Sequence, residues 1–155
     1  MKLSEILEAS TTLVPFAAKG KWEAIEKLAD SLIQAGKVGG SVSAELRAAL
    51  FAREKSMSTG MEHGVAIPHA AIDGVDKVSA AMALAPAGIP FDSLDGKPAQ
   101  ILVCLVIPRQ QKLLHIRTLA EIARLLSREP IRKRLLLCET VAAVLEVVRE
   151  EEKPK

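Results

Sequence analysis

The chain has 155 residues, 49% of them hydrophobic and 26% charged, with a formal net charge of +2. That length fits one domain, burying roughly two thirds of its unfolded surface around a single core. The charge balance lacks the concentrated basic face that nucleic acid requires; the one dense basic spot, Arg132 to Arg134, reads as the solvated side of a helix, with docking of an acidic partner as the alternative.

In chain order, Thr12 to Phe16 is the first strand candidate. Trp22, Ile25, Leu28, Ala29, Leu32 and Ile33 then recur at helical spacing, closed by Gly36. A second helix is expected from Ser43 to Arg53, with Leu46, Leu50 and Phe51 facing inward. Strand patterns follow at Val65 to Pro68, Val78 to Leu84 and Ile101 to Ile107. The last is apolar almost throughout, as suits a central strand covered on both faces. Leu113 to Leu126 is the clearest late helix, Pro130 opens a short one, and Thr140 caps the last, which reaches about Glu150. Residues 1–150 form the expected domain, and 151–155 a polar tail that frays. Helices, then clustered strands, then helices predict an α/β fold, a mixed sheet between helical layers.

Cys104 and Cys138 lack a metal-type spacing, and two isolated cysteines suit a reducing compartment. The sequence MKLSEILEAS has no signal-peptide core, and no apolar stretch reaches the ~20 residues of a membrane span. A soluble cytoplasmic protein is expected, without direct membrane insertion, serving any transport role by docking to another chain.

Residues 56–70, SMSTGMEHGVAIPHA, carry the most chemistry. A loop rich in serine, threonine and glycine runs into a short apolar strand ending at Pro68 and His69. Gly60 and Gly64 permit tight turns and close approach to a ligand. Pro68 fixes the direction in which His69 leaves. An imidazole in this setting suits nucleophilic attack on a phosphoryl group, with hydroxyls and backbone N–H groups holding its oxygens. The same residues also fit an ordinary turn before a core strand, with histidine as a polar stop.

Arg53-Glu54, Ser58-Thr59-Gly60 and Gly64-Val65-Ala66-Ile67-Pro68-His69, with Gly88-Ile89-Pro90-Phe91, Asp95-Gly96-Lys97-Pro98 and Leu114-His115-Ile116 downstream, resemble the signature of IIA proteins of the bacterial phosphotransferase system. The subgroup is the fructose/mannitol and nitrogen-regulatory type, and the resemblance covers nearly the whole chain. It implies a three-layer α/β/α sandwich with a mixed central sheet. It also implies a phosphocarrier in which His69 accepts a phosphoryl group from an HPr-like phosphocarrier protein. The group then passes to a IIB protein or serves as a signal to a regulated protein.

The resemblance assigns His115 to supporting the phosphoryl group; on its residues alone it is equally a core histidine on the face of Leu119, Ile122 and Leu126. Arg53 suits bidentate pairing with phosphoryl oxygens, and Ser58, Thr59 and Gly60 complete the expected phosphoryl-binding set. Glu54 is expected to orient Arg53 or the loop, and His63 and Gly64 to sit at the rim. A zinc reading of His63, His69 and His115 lacks HExxH-type spacing, so no metal or cofactor is expected. Two departures from the family pattern, Glu62-His63 where a small or amide residue usually stands between two glycines and Ala70 in place of glycine, leave open a binding module on the same fold that is not phosphorylated. No IIB, IIC or carrier segment is fused here, which leans the expectation toward the nitrogen-regulatory subgroup. Because His69 must meet a histidine on another protein, a shallow depression is expected around it, ringed by Met57, Met61 and Ile89.

Overall fold

The computed structural model describes residues 2–153. In order the elements are α1 (Leu3–Ile6), β1 (Leu7–Leu13), α2 (Lys21–Gln34), a 3₁₀ turn (Gly40–Val42), α3 (Ser43–Ser56), β2 (Val65–Ala66), β3 (His69–Ile72), β4 (Ser79–Ile89), β5 (Ala99–Pro108), α4 (Lys112–Leu126), α5 (Glu129–Leu136) and α6 (Val141–Glu151). The strands make one mixed sheet in the order β1-β4-β5-β2, with β3 also pairing β5. β4 and β5 are antiparallel, β1 runs parallel to β4, and β2 and β3 run parallel to β5. Helices cover both faces, as the sequence predicts for a strand as apolar as β5.

The period-two alternation of a strand divides the core in two. Ile101, Val103, Leu105 and Ile107 of β5 join Met82 and Leu84 of β4 against α4, α5 and α6, where Ile122, Leu126, Leu135 and Val148 are buried. Leu102, Cys104 and Val106 turn to the other face, with Ala81, Ala83 and Ala85 of β4. Small side chains on that face leave room for Leu28 and Leu32 of α2 and Leu46 and Leu50 of α3. Cys104 is wholly buried there, and loss of solvation pushes its thiol up to about 12.

Several boundaries differ from expectation, and β4 runs on to Ile89 where Leu84 was the expected end. The first strand is Leu7–Leu13, because Pro15 cannot extend a paired strand and Thr11 and Thr12 turn their hydroxyls onto Glu8 O at 3.3 and 2.7 Å. The strand expected at Val65 to Pro68 is interrupted at Ile67-Pro68 and resumes as β3 on the same side of β5, so His69 opens a strand instead of following one. The expected tail is partly structured. Glu151 pairs with Arg134, while Glu152 accepts from Leu3 N at 2.7 Å and Ser4 N at 2.9 Å, capping α1 from the far end of the chain. Residues 154–155 lie outside the described residues. Thr140 caps α6 as expected, its hydroxyl accepting from Ala143 N at 3.1 Å.

Candidate functional site

His69 is the first residue of β3, opposite Leu105. Pro68 just before it has no N–H, yet its carbonyl still accepts from Leu105 N at 3.0 Å, which anchors the backbone beside the ring. The His69 Nδ1 lies 2.8 Å from Ile67 O. A carbonyl can only accept, so Nδ1 carries the proton and Nε2 keeps its lone pair. The ring is half-buried, leaving an open side.

The N-terminal part of α4 brings His115 to His69, ring centroids 5.4 Å apart and planes at 72°. His115 is itself half-exposed, although Leu119 and Ile122 farther along its face join the core. Burial holds the His69 pKa below its ordinary 6.5; the Ile67 carbonyl opposes this, and Arg53 and His115 add to it. The His115 pKa is lowered likewise, by desolvation and then by Arg53. Both rings are therefore neutral at physiological pH, the form in which imidazole is a nucleophile. In an NMR pH titration both rings are expected to show midpoints below 6.5; a His69 midpoint above that value would contradict its burial. The unfolded chain then binds more protons than the folded one as pH falls below about 6.5, so this pair destabilises the fold progressively as pH drops through the folded midpoints.

Arg53 lies in the last turn of α3, partly buried, and its Nη1 donates to Met57 O at 2.8 Å. The adjacent Glu54 is 2% exposed. It accepts from Thr59 N at 2.9 Å and from the Thr59 hydroxyl at 2.5 Å. Glu54 thus fixes the loop, one of the two roles expected of it. Ser58 Oγ donates to Phe91 O at 2.6 Å and accepts from Gly60 N at 3.1 Å. A Cβ on Gly60 would stand 2.9 Å from Ser93 Cα and 3.0 Å from Phe91 O, so glycine is what allows the loops at 57–60 and 91–94 to touch. The Ser58 and Thr59 hydroxyls and the Thr59 and Gly60 N–H groups are therefore engaged within the protein.

Sequence reading missed Lys21. Its ammonium lies 3.5 Å from Glu54 and 3.0 Å from Asp92, joining α3 to the loop after β4 and compensating a buried carboxylate. Its only sequence signal is a lysine opening a helix, which is uninformative alone. The rim also differs from expectation. Met57 is 69% exposed, but Ile89 is 1% exposed because it closes β4 against Ala99, and Met61 is half-buried against the core. Leu113 and Ile116, near His115 in sequence, are 60% and 66% exposed. Ala70 is an ordinary buried strand residue opposite Val106, so the absence of glycine brings no strain there.

His63 stands apart. It has a left-handed φ of 64° and donates its backbone N–H to Asp95 at 2.9 Å. Gly64 follows with φ 77°, its carbonyl accepting from Gln100 N and Ile101 N at 2.7 and 2.9 Å. The cavities that His63 lines are not lined by His69 or His115.

A mixed sheet clad by helices thus carries two neutral histidines side by side at its edge. The family model for the phosphoenolpyruvate-dependent sugar phosphotransferase system, EIIA 2, matches residues 5–151. The chain belongs to that family. A fructose-specific EIIA component of Haloferax volcanii is 37% identical over 127 residues, covering 82% of this chain and 81% of that protein. A nitrogen regulatory protein of Pseudomonas aeruginosa is 31% identical over 148 residues, 96% of this chain and 95% of that protein. A fructose-specific EIIABC component of Bacillus subtilis is 31% identical over 99% of this chain, which spans only 24% of that protein. Among solved structures, the nitrogen regulatory protein IIA-Ntr of Neisseria meningitidis superposes with a TM-score of 0.85 at 29% identity, covering 94% of this chain and 97% of that one. No helix among the described residues is long and apolar enough to cross a membrane.

Proposed function

We propose that the chain carries a phosphoryl group on His69 Nε2, taken from the phosphohistidine of an HPr-like carrier. It passes the group to a IIB protein or holds it as a signal read by a regulated protein. The reading rests above all on the hydrogen bond from His69 Nδ1 to Ile67 O, which leaves Nε2 as the free nucleophile. In the transfer, a P–N bond to Nε2 forms as the P–N bond to the donor imidazole breaks, and the departing nitrogen keeps the electron pair. The ring gains positive character, which the Ile67 carbonyl at Nδ1–H stabilises.

Such transfers pass through a loose transition state in which positioning and electrostatics carry the catalysis. Arg53 and His115 supply donors to the phosphoryl oxygens. Arg53 has further N–H groups beyond the one held by Met57 O. Ser58, Thr59 and Gly60 support from below, because donation from them to phosphate requires their present bonds to be exchanged. Met57, Leu113 and Ile116 form the docking rim, and the protein acts in the cytoplasm. The free-standing nitrogen regulatory relatives, matched along nearly their full length, favour the signalling branch.

Incubation with the carrier protein, the first enzyme of the relay and phosphoenolpyruvate is expected to raise the intact mass by one phosphoryl group. His69→Ala is expected to show no gain. An unmodified wild type would leave the binding-module reading in its place.

A further inference from the structure

A short antiparallel pairing ties the loop of residues 58–61 to the segment that leads into His69. Met61 N donates to Val65 O at 2.7 Å, Gly60 and Ala66 form a bridge, and Ile67 N donates to Thr59 O at 3.2 Å. The last bond bears on the nucleophile, because Ile67 O is the acceptor that keeps the proton on His69 Nδ1. An unbroken series of hydrogen bonds therefore runs from the Glu54 carboxylate through Thr59 and Ile67 to the imidazole.

The far end of that series is Lys21. Glu54 Oε1 takes the Thr59 hydroxyl, and Oε2, which accepts from Thr59 N, lies 3.5 Å from the Lys21 ammonium. The same ammonium lies 3.0 Å from Asp92 and 5.0 Å from the centre of the Trp22 ring. Asp92 has φ 52°, uncommon for a residue with a side chain. Its neighbours brace the loop from outside, Phe91 O accepting from Ser58 Oγ at 2.6 Å and Leu94 N donating to Gly60 O at 3.3 Å. Lys21 thus stands where the two supports of the loop meet, the buried carboxylate on one side and the 91–94 turn on the other. Its side chain is 12% exposed, which leaves little surface for a docking protein.

We propose that Lys21 is a positioning residue for phosphoryl transfer: acting through Glu54, Thr59 and Ile67, it holds the His69 ring in the tautomer and orientation that leave Nε2 free. Without the ammonium, Glu54 is a buried carboxylate with Thr59 alone for a donor, and Asp92 is released. A buried charge so exposed to desolvation draws its loop toward water. Thr59 O then leaves Ile67 N, and the carbonyl that fixes the His69 proton moves with it. The kinetic consequence rests on His69 being the phosphoryl acceptor, whereas control of the ring by Lys21 does not.

The test compares the whole protein with Lys21→Met, Lys21→Gln and Lys21→Arg. NMR of the histidine ring nitrogens, above the pH at which the rings protonate, separates Nδ1–H from Nε2–H forms. Wild-type His69 is expected to be almost wholly Nδ1–H. Lys21→Met is expected to give a mixture with substantial Nε2–H, and Lys21→Arg to restore the wild-type pattern. His63, outside this series, is expected to be unchanged. In transfer from the phosphorylated carrier, Lys21→Met is expected to lower kcat roughly ten- to a hundredfold, the range for a misplacement of about 1 Å, with KM unchanged. Lys21→Arg is expected to recover most of it. Lys21→Gln, which keeps a donor without the charge, gives the same comparison in milder form if Lys21→Met does not fold. A lowered Tm with the wild-type His69 tautomer retained would make Lys21 a purely structural cation and overturn the inference. A raised KM with unchanged kcat would overturn it too, by marking a docking contact. If the wild type accepts no phosphate, the proposed function fails and the tautomer populations alone decide the role of Lys21.

Discussion

Glu54→Ala is expected to destabilise the fold by about 3–5 kcal/mol, the range for removing one partner of a buried ion pair. The carboxylate is 2% exposed and holds three groups at once: Thr59 N, the Thr59 hydroxyl and the Lys21 ammonium. Removing it leaves a buried N–H and hydroxyl unsatisfied and a lysine without its inner partner, while Asp92 on the outside is too exposed to compensate. For a chain of this length the loss corresponds to a fall in Tm of roughly 9–15 °C. Glu54→Gln retains the shape and one acceptor, and is expected to fall between the two. Thermal and urea denaturation of the three proteins decide the matter. A loss under about 1 kcal/mol would mean that the Glu54–Thr59 contact contributes little in solution.

That network also marks where the sequence becomes silent. β5, with its unbroken apolar run, could be placed from its residues, because burial on both faces leaves a one-dimensional signature. So could α4, from Leu119, Ile122 and Leu126, and the Thr140 cap, because each is a local pattern. The beginning of the chain was not legible. LEASTTL has no clean alternation, since Glu8, Ala9 and Ser10 are exposed and the following threonines bond back to Glu8. The helix before it is four residues long and is capped by Glu152, a partner 149 positions away that no local reading can find.

The site divides in the same way. His69 and Arg53 stood out by residue type and order, and the resemblance supplied His115. Ser58 and Thr59 also stood out, yet their hydroxyls bind Phe91 O and Glu54, because a hydroxyl near a histidine in sequence is as useful to a loop as to a ligand. Ile89 was misplaced at the rim because β4 continues past Pro86, through a register shift, and buries it. His63 sits five residues before Pro68 and shares a motif with it in one dimension only; the extended β2 carries it away from His69 toward Asp95 and Lys97.

His115→Ala is expected to fold normally and to accept phosphate markedly more slowly. Its ring is half-exposed and 5.4 Å from His69, so its removal opens no core cavity but takes away a polar group beside the His69 ring. Losing one electrostatic contributor at such a site raises the barrier by about 2–4 kcal/mol, or roughly 30- to 1000-fold in rate. His115→Gln, which keeps an N–H donor on a side chain of similar reach, is expected to recover part of that loss. Rapid-quench measurement of transfer from the phosphorylated carrier gives the rates, and thermal denaturation gives the control. An unchanged rate with a lowered Tm would return His115 to the role of a packing residue and leave Arg53 as the main support of the phosphoryl group. A slowed rate with an unchanged Tm places it in the transfer itself, because α4 then serves to carry a donor to the sheet edge where Nε2 of His69 is free.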